Sequence, residues 1–171
     1  MRSLITFLAV VGLILLSRWI PHPANFTALI AMALFSGSFW ANKSLRFVAP
    51  LLAMIISDAV FGVYPGIEVN YLAVALCVLL APNLEASLPT ILGRSTLASV
   101  VFFVVSNLGV WMFAGLYPQT LEGLQSCFVM AIPFYPALLT SALFYSTLCF
   151  AVYRFTSAKE GFQGFLKPKY G

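Results

Sequence analysis

Four side chains stand out because a hydrophobic chain has little use for them unless they do something. Asp58 interrupts the apolar run from Leu45 to Tyr64, Asn107 lies inside Ser95–Leu116, and Arg18 and Asn25 flank the polar stretch between the first two apolar runs. Polar groups at membrane depth are costly, so each needs a partner, a cavity or a function. Five carboxylates are present and Asp58 alone falls well inside an apolar run, which leaves no carboxylate pair for acid–base chemistry there. The chemistry these residue types favour is recognition: an amide and a guanidinium orient polar groups of a ligand between apolar walls. Trp111 follows Asn107 by four residues and Phe103 precedes it by four, so one helical face reads Phe103, Asn107, Trp111, with the indole placed to stack. Asn70 opens the next apolar run beyond the turn Pro65-Gly66-Ile67-Glu68. The expected binding set is therefore Arg18, Asn25, Asp58, Asn70, Asn107 and Trp111. Two plainer readings compete with it. Arg18 and Asp58 would form an ion pair holding the first and third helices together, and Asn107 would hydrogen-bond between helices. Trp19, Trp40, Tyr64, Tyr117 and Tyr153 fall near run ends, where aromatic residues anchor to the membrane interface.

The elements that must carry these groups are helices in a bilayer. Of 171 residues, 61% are hydrophobic and 8% charged, with a mean hydropathy of +0.98. Soluble domains carry about 25% charged residues. Six apolar segments run about Ser3–Ile20, Ala24–Ala41, Leu45–Tyr64, Val69–Ala81, Ser95–Leu116 and Ser126–Tyr153. A spanning helix takes roughly 20 apolar residues, which the fourth segment falls short of. Charge placement argues that it crosses all the same. With six spans and a cytoplasmic N-terminus, Arg2, Lys43, Arg46, Arg94, Arg154, Lys159, Lys167 and Lys169 all face inward and only Arg18 faces outward, as the positive-inside rule requires. The fold expected is an all-α integral membrane protein, a six-helix transmembrane bundle over 1–155 with both termini cytoplasmic, followed by a basic tail over 156–171.

Other signals exclude functions. A net charge of +4 from scattered single residues is not a nucleic-acid groove. Cys77, Cys127 and Cys149 sit in apolar runs without CxxC or Cys/His spacing, so no metal, cofactor or disulfide framework is expected. GxSxG, HExxH, phosphate-loop and dinucleotide patterns are absent, and no enzyme is expected; His22, held between Pro21 and Pro23, has no serine at supporting spacing. The opening Met1-Arg2 and apolar run imitate a signal peptide but end in Ser17-Arg18-Trp19 without a small-x-small site, so the run reads as a retained helix. Ala24-x-x-x-Ala28 and Ala33-x-x-x-Gly37 would let a helix approach a neighbour closely, within the bundle or, at Ala24 and Ala28, on a partner subunit. Pro133 and Pro136 would bend the last segment.

Arg18…Pro21…Asn25-Phe26-Thr27, Ser57-Asp58-x-x-x-Gly62-x-Tyr64 and Ser106-Asn107-x-x-x-Trp111 together resemble a bacterial membrane family similar to the substrate-binding S components of energy-coupling-factor vitamin transporters. The resemblance, from about Arg18 to Arg154, implies a six-helix bundle in the inner membrane with an outward-facing pocket for a vitamin-type micronutrient. It also implies an energising scaffold and ATPase module as partners, met on the Ala24/Ala28 face. Part of that family looks like stand-alone cobalamin transporters, in which a cysteine after the aspartate helix contacts cobalt. Here Gly62–Tyr71 contains none, and Cys77 is the first to follow, so cobalamin is one candidate among several. The function expected is substrate-binding uptake. A structural or assembly subunit of a larger membrane complex is the rival.

Overall fold

The computed structural model describes residues 2–166, with side chains described for 3–158. Among these residues the chain is all helical: α1 (Arg2–Trp19), α2 (Leu29–Phe39), α3 (Lys43–Phe61), α4 (Ile67–Leu79), α5 (Leu88–Phe113), α6 (Leu121–Ala131) and α7 (Tyr135–Leu166). A single 3₁₀ turn, Ile132–Phe134, joins α6 to α7, where Pro133 removes a backbone donor. Three stretches are long and apolar enough to cross a membrane: Lys43–Phe61, Leu88–Phe113 and Leu121–Ala158. The basic residues of the 156–171 tail lie outside the residues whose side chains are described, although α7 itself continues past 155 to Leu166.

Local chemistry sets the helix ends. The Asn42 side chain accepts hydrogen bonds from the Ser44 and Leu45 amides (2.9 and 3.4 Å) and starts α3. Thr120 caps α6 through the Gly123 amide at 3.2 Å. Gly66 begins α4 at φ +83°, a conformation L side chains rarely adopt, and a Cβ there would also press on Phe113. We call the end of the bundle carrying residues 20–28 and 62–66 the upper end, and the end carrying Lys43 and Arg154 the lower.

The second segment departs from expectation. The sequence predicts a helix over 24–41, whereas α2 begins at Leu29 and has 11 residues, a rise of ~16 Å against a hydrocarbon core of about 30 Å. Pro21 and Pro23 keep the preceding chain from continuing as helix, Pro23 opens a turn closed by the Phe26 amide on its carbonyl at 3.0 Å, and Asn25 passes through a left-handed φ of 64°. Ala24 and Ala28 therefore precede the helix and share no helical face: Ala24 is exposed on the loop and Ala28 is buried beneath it. The expected docking face has no helix to carry it. Ala33 and Gly37 do lie on α2, and a Cβ added at Gly37 would overlap the Val78 carbonyl and Ala81, so this spacing serves internal packing against α4.

Every residue of α2 from Leu29 to Gly37 is buried, because α1, α3, α4, α5 and α7 surround it. Around this axis α1 pairs with α3, α4 with α5, and α5 with α7. The inside mixes large apolar side chains such as Ile14, Met32, Leu34, Phe35 and Phe150 with small and polar ones such as Ala49, Ala53, Ser95 and Ser99, while Leu4, Leu8, Val60, Leu79, Val129 and Leu148 point outward. So many large apolar side chains on the outside suit an apolar solvent. Trp40 is an exception to the interfacial placement expected for it: it is buried at the lower end, with its indole donating to Ser3 Oγ at 3.0 Å.

Candidate functional site

A cavity of about 420 Å³ opens between the upper halves of the helices. Arg18, in the last turn of α1, reaches across to α3, where its Nη2 meets Asp58 Oδ1 at 2.9 Å. Its Nη1 donates to the Met54 thioether at 2.7 Å. Met54 and Asp58 are four residues apart and so share a face of α3. The two side chains differ in access: Arg18 is 21% exposed and lines the cavity, whereas Asp58 is 3% exposed and sits behind it. Asp58 Oδ2 has no hydrogen-bond partner among the described residues, and Tyr71 on α4 lies within electrostatic reach of the carboxylate.

The loop over 20–28 forms part of the wall and is tied at several points. Ser17 Oγ donates to the Ile14 carbonyl (2.9 Å) and accepts from the Ala28 amide (3.0 Å), fixing the loop's exit to α1. The Asn25 carbonyl accepts from Ser141 Oγ on α7 at 3.4 Å, and the Phe26 ring lies 5.8 Å from that of Tyr145. Loop and α7 thus hold Asn25 and Thr27 against the cavity. Asn70, in the first turn of α4, donates to the Tyr64 hydroxyl, and both line the space.

On α5 the lining residues are Phe102, Phe103, Ser106, Asn107 and Val110. Asn107 Nδ2 donates to the Phe103 carbonyl at 2.7 Å, and the Phe103 ring packs edge-on against Tyr135 at 5.2 Å. Trp111 does not join this face. Its indole donates to the Pro118 carbonyl at 2.9 Å, and Gln119 Nε2 donates back to the Trp111 carbonyl at 2.5 Å. Helical spacing would align Trp111 with Asn107, but the loop after α5 draws the ring outward to satisfy its own carbonyl.

Of the six expected residues, four line one cavity (Arg18, Asn25, Asn70 and Asn107), Asp58 supports Arg18 from behind, and Trp111 pins a loop instead. Met54, Ser106 and His22 line the space as well, although the sequence gives them no binding role, and Thr27 joins it from the same polar stretch as Asn25. Met54 is legible as the residue one turn before Asp58. Tyr64, read as an interfacial anchor, also lines the space.

No three His, Cys, Asp or Glu side chains come together among the described residues. Cys77 is buried within α4 with its thiol directed at the Ala98 carbonyl, 3.5 Å away, and takes no part in the cavity.

Fold and cavity define a class: an all-helical protein with helices of membrane-crossing length around a polar-lined chamber. Over residues 1–163 the chain matches the model of DUF6580, a family of unknown function, and it belongs to that family. No curated protein and no solved structure matches it.

Proposed function

We propose that this chain is a substrate-binding uptake protein of the bacterial inner membrane, crossing six times with both termini cytoplasmic and taking up a vitamin-type micronutrient. The observation that carries this reading is the 420 Å³ cavity, in which a guanidinium and three amides from α1, the 20–28 loop, α4 and α5 converge between aromatic walls. Ligand pockets are typically about 300–1,000 Å³ with a few convergent polar groups, and this one matches. Its size lies toward the small end of that range and favours a compact ligand over a corrin such as cobalamin.

Charge supports this topology: Lys43, Arg46, Arg94 and Arg154 belong to the lower end and Arg18 to the upper, the asymmetry that the positive-inside rule associates with a cytoplasmic lower end. Arg154 there donates to the Leu84 and Ala86 carbonyls, and Arg46 to that of Trp40, so the basic residues also tie down helix ends. α2, too short to cross alone, crosses together with the 20–28 loop, whose polar backbone is tolerable beside a hydrated cavity. A scaffold and ATPase module would supply energy to this binding subunit.

The test is mass spectrometry of small molecules extracted from the detergent-purified chain. A compound retained by the wild type and lost from Asn107→Leu supports the reading. Fixed protein partners in constant ratio, with no retained compound, would establish the structural-subunit alternative instead.

A further inference from the structure

The charge of the cavity restricts what it can hold. Among the described residues lining it, Arg18 is the one Lys, Arg, Asp or Glu, and Asp58 behind it cancels that charge at 2.9 Å; His22, the other basic side chain in the lining, has its Nδ1 on the Pro23 carbonyl at 2.7 Å. The pair satisfies Arg18 incompletely, because Nη1 is spent on a thioether, a weak acceptor. A ligand oxygen is a better acceptor, and Arg18 is exposed on the cavity side to meet it. Asn70 and Asn107 each use one donor on the protein, toward Tyr64 and the Phe103 carbonyl, which leaves their side-chain oxygens to accept from a ligand N–H.

Resting on the uptake reading above, we propose that the ligand is a neutral ring compound bearing a carbonyl beside an N–H (a carboxamide, lactam or ureide) and that the cavity rejects the corresponding carboxylate. A carboxylate would also bond Arg18, but it would place a second negative charge beside Asp58 with a single guanidinium between them. Two negative charges sharing one guanidinium repel, and Asp58, 3% exposed, has little water around it to screen the second. A cationic ligand fares no better, since Asp58 is shielded and lines none of the cavity. The phenyl walls of Phe61, Phe102 and Phe134 suit the ring.

Matched pairs isolate this charge effect: nicotinamide against nicotinate, and biotinamide against biotin, titrated into the detergent-purified full chain by calorimetry. The amide of at least one pair is expected to bind the wild type about tenfold or more tighter than its acid. Asp58→Asn keeps the shape and removes the negative charge, so it shifts the ratio toward the acid by a similar factor. Should that variant fold poorly, Ser106→Arg adds a cation to the lining without touching the ion pair and shifts the ratio the same way. A wild type that binds the acid as well as the amide, or a ratio unmoved in the folded variants, overturns the ligand class. So does a wild type that binds neither pair. The uptake reading is judged separately, by whether any compound co-purifies with the wild type and not with Asn107→Leu.

Discussion

Arg18 and Asp58 stand 40 positions apart in sequence and meet at 2.9 Å, tying the upper end of α1 to α3 and presenting one face of a neutralised guanidinium to the cavity. Removing one partner strands the other. Asp58→Ala is expected to destabilise the protein by about 2–4 kcal/mol, somewhat less than a fully buried pair because Arg18 keeps some access to water. Arg18→Met with Asp58→Leu should recover much of that loss. Thermal unfolding in detergent checks this: a double variant as unstable as the single would show that the charges are not coupled.

Asn107 and Trp111 separate function from scaffold on one helix. Asn107→Leu conserves volume but removes an amide that lines the cavity, and it is expected to abolish ligand retention with little change in stability. Trp111→Phe loses the bond to the Pro118 carbonyl and costs about 1 kcal/mol. Retention of ligand should survive it. Comparing co-purified ligand per mole of protein in the two variants tests the assignment.

At Gly37 the backbone of α2 lies tightly against the end of α4. Gly37→Ala would force a methyl group into the Val78 carbonyl and Ala81 and is expected to destabilise by about 1–3 kcal/mol. Gly12, which has open space around it, provides the control: Gly12→Ala should be neutral or slightly stabilising, since alanine favours helix. Melting temperatures of the two variants measure the difference.

Topology is tested from outside the cell. A cysteine placed at Tyr117 is expected to react with a membrane-impermeant maleimide in intact cells, and one at Glu85 only after permeabilisation. Cys77 and Cys127 are buried and should contribute little background. Equal labelling of both positions in intact cells would contradict six crossings.

Most of the helices were legible because apolar runs and polar turns alternate clearly along the chain. The pairing of Asp58 with Arg18 was legible too, since a lone carboxylate at depth needs a cation and Arg18 was the cation near that level. The start of α2 was not. Ala24, Phe26 and Ala28 are as apolar as a helix would be, and hydropathy does not register the backbone turn at Asn25 or the bonds from Ser17 and Ser141 that hold the loop. Trp111 was misplaced for a related reason. Periodicity assigns a face, but near a helix end a loop carbonyl can claim a side chain that the period gives to the cavity.

If the chain carries a ligand across the bilayer, the brevity of α2 would reshape the barrier itself. Because the central helix rises only ~16 Å, a molecule resting above it would already lie roughly halfway through the hydrocarbon slab. Its remaining journey would need no full-length channel, only a parting of the helices around one short plug.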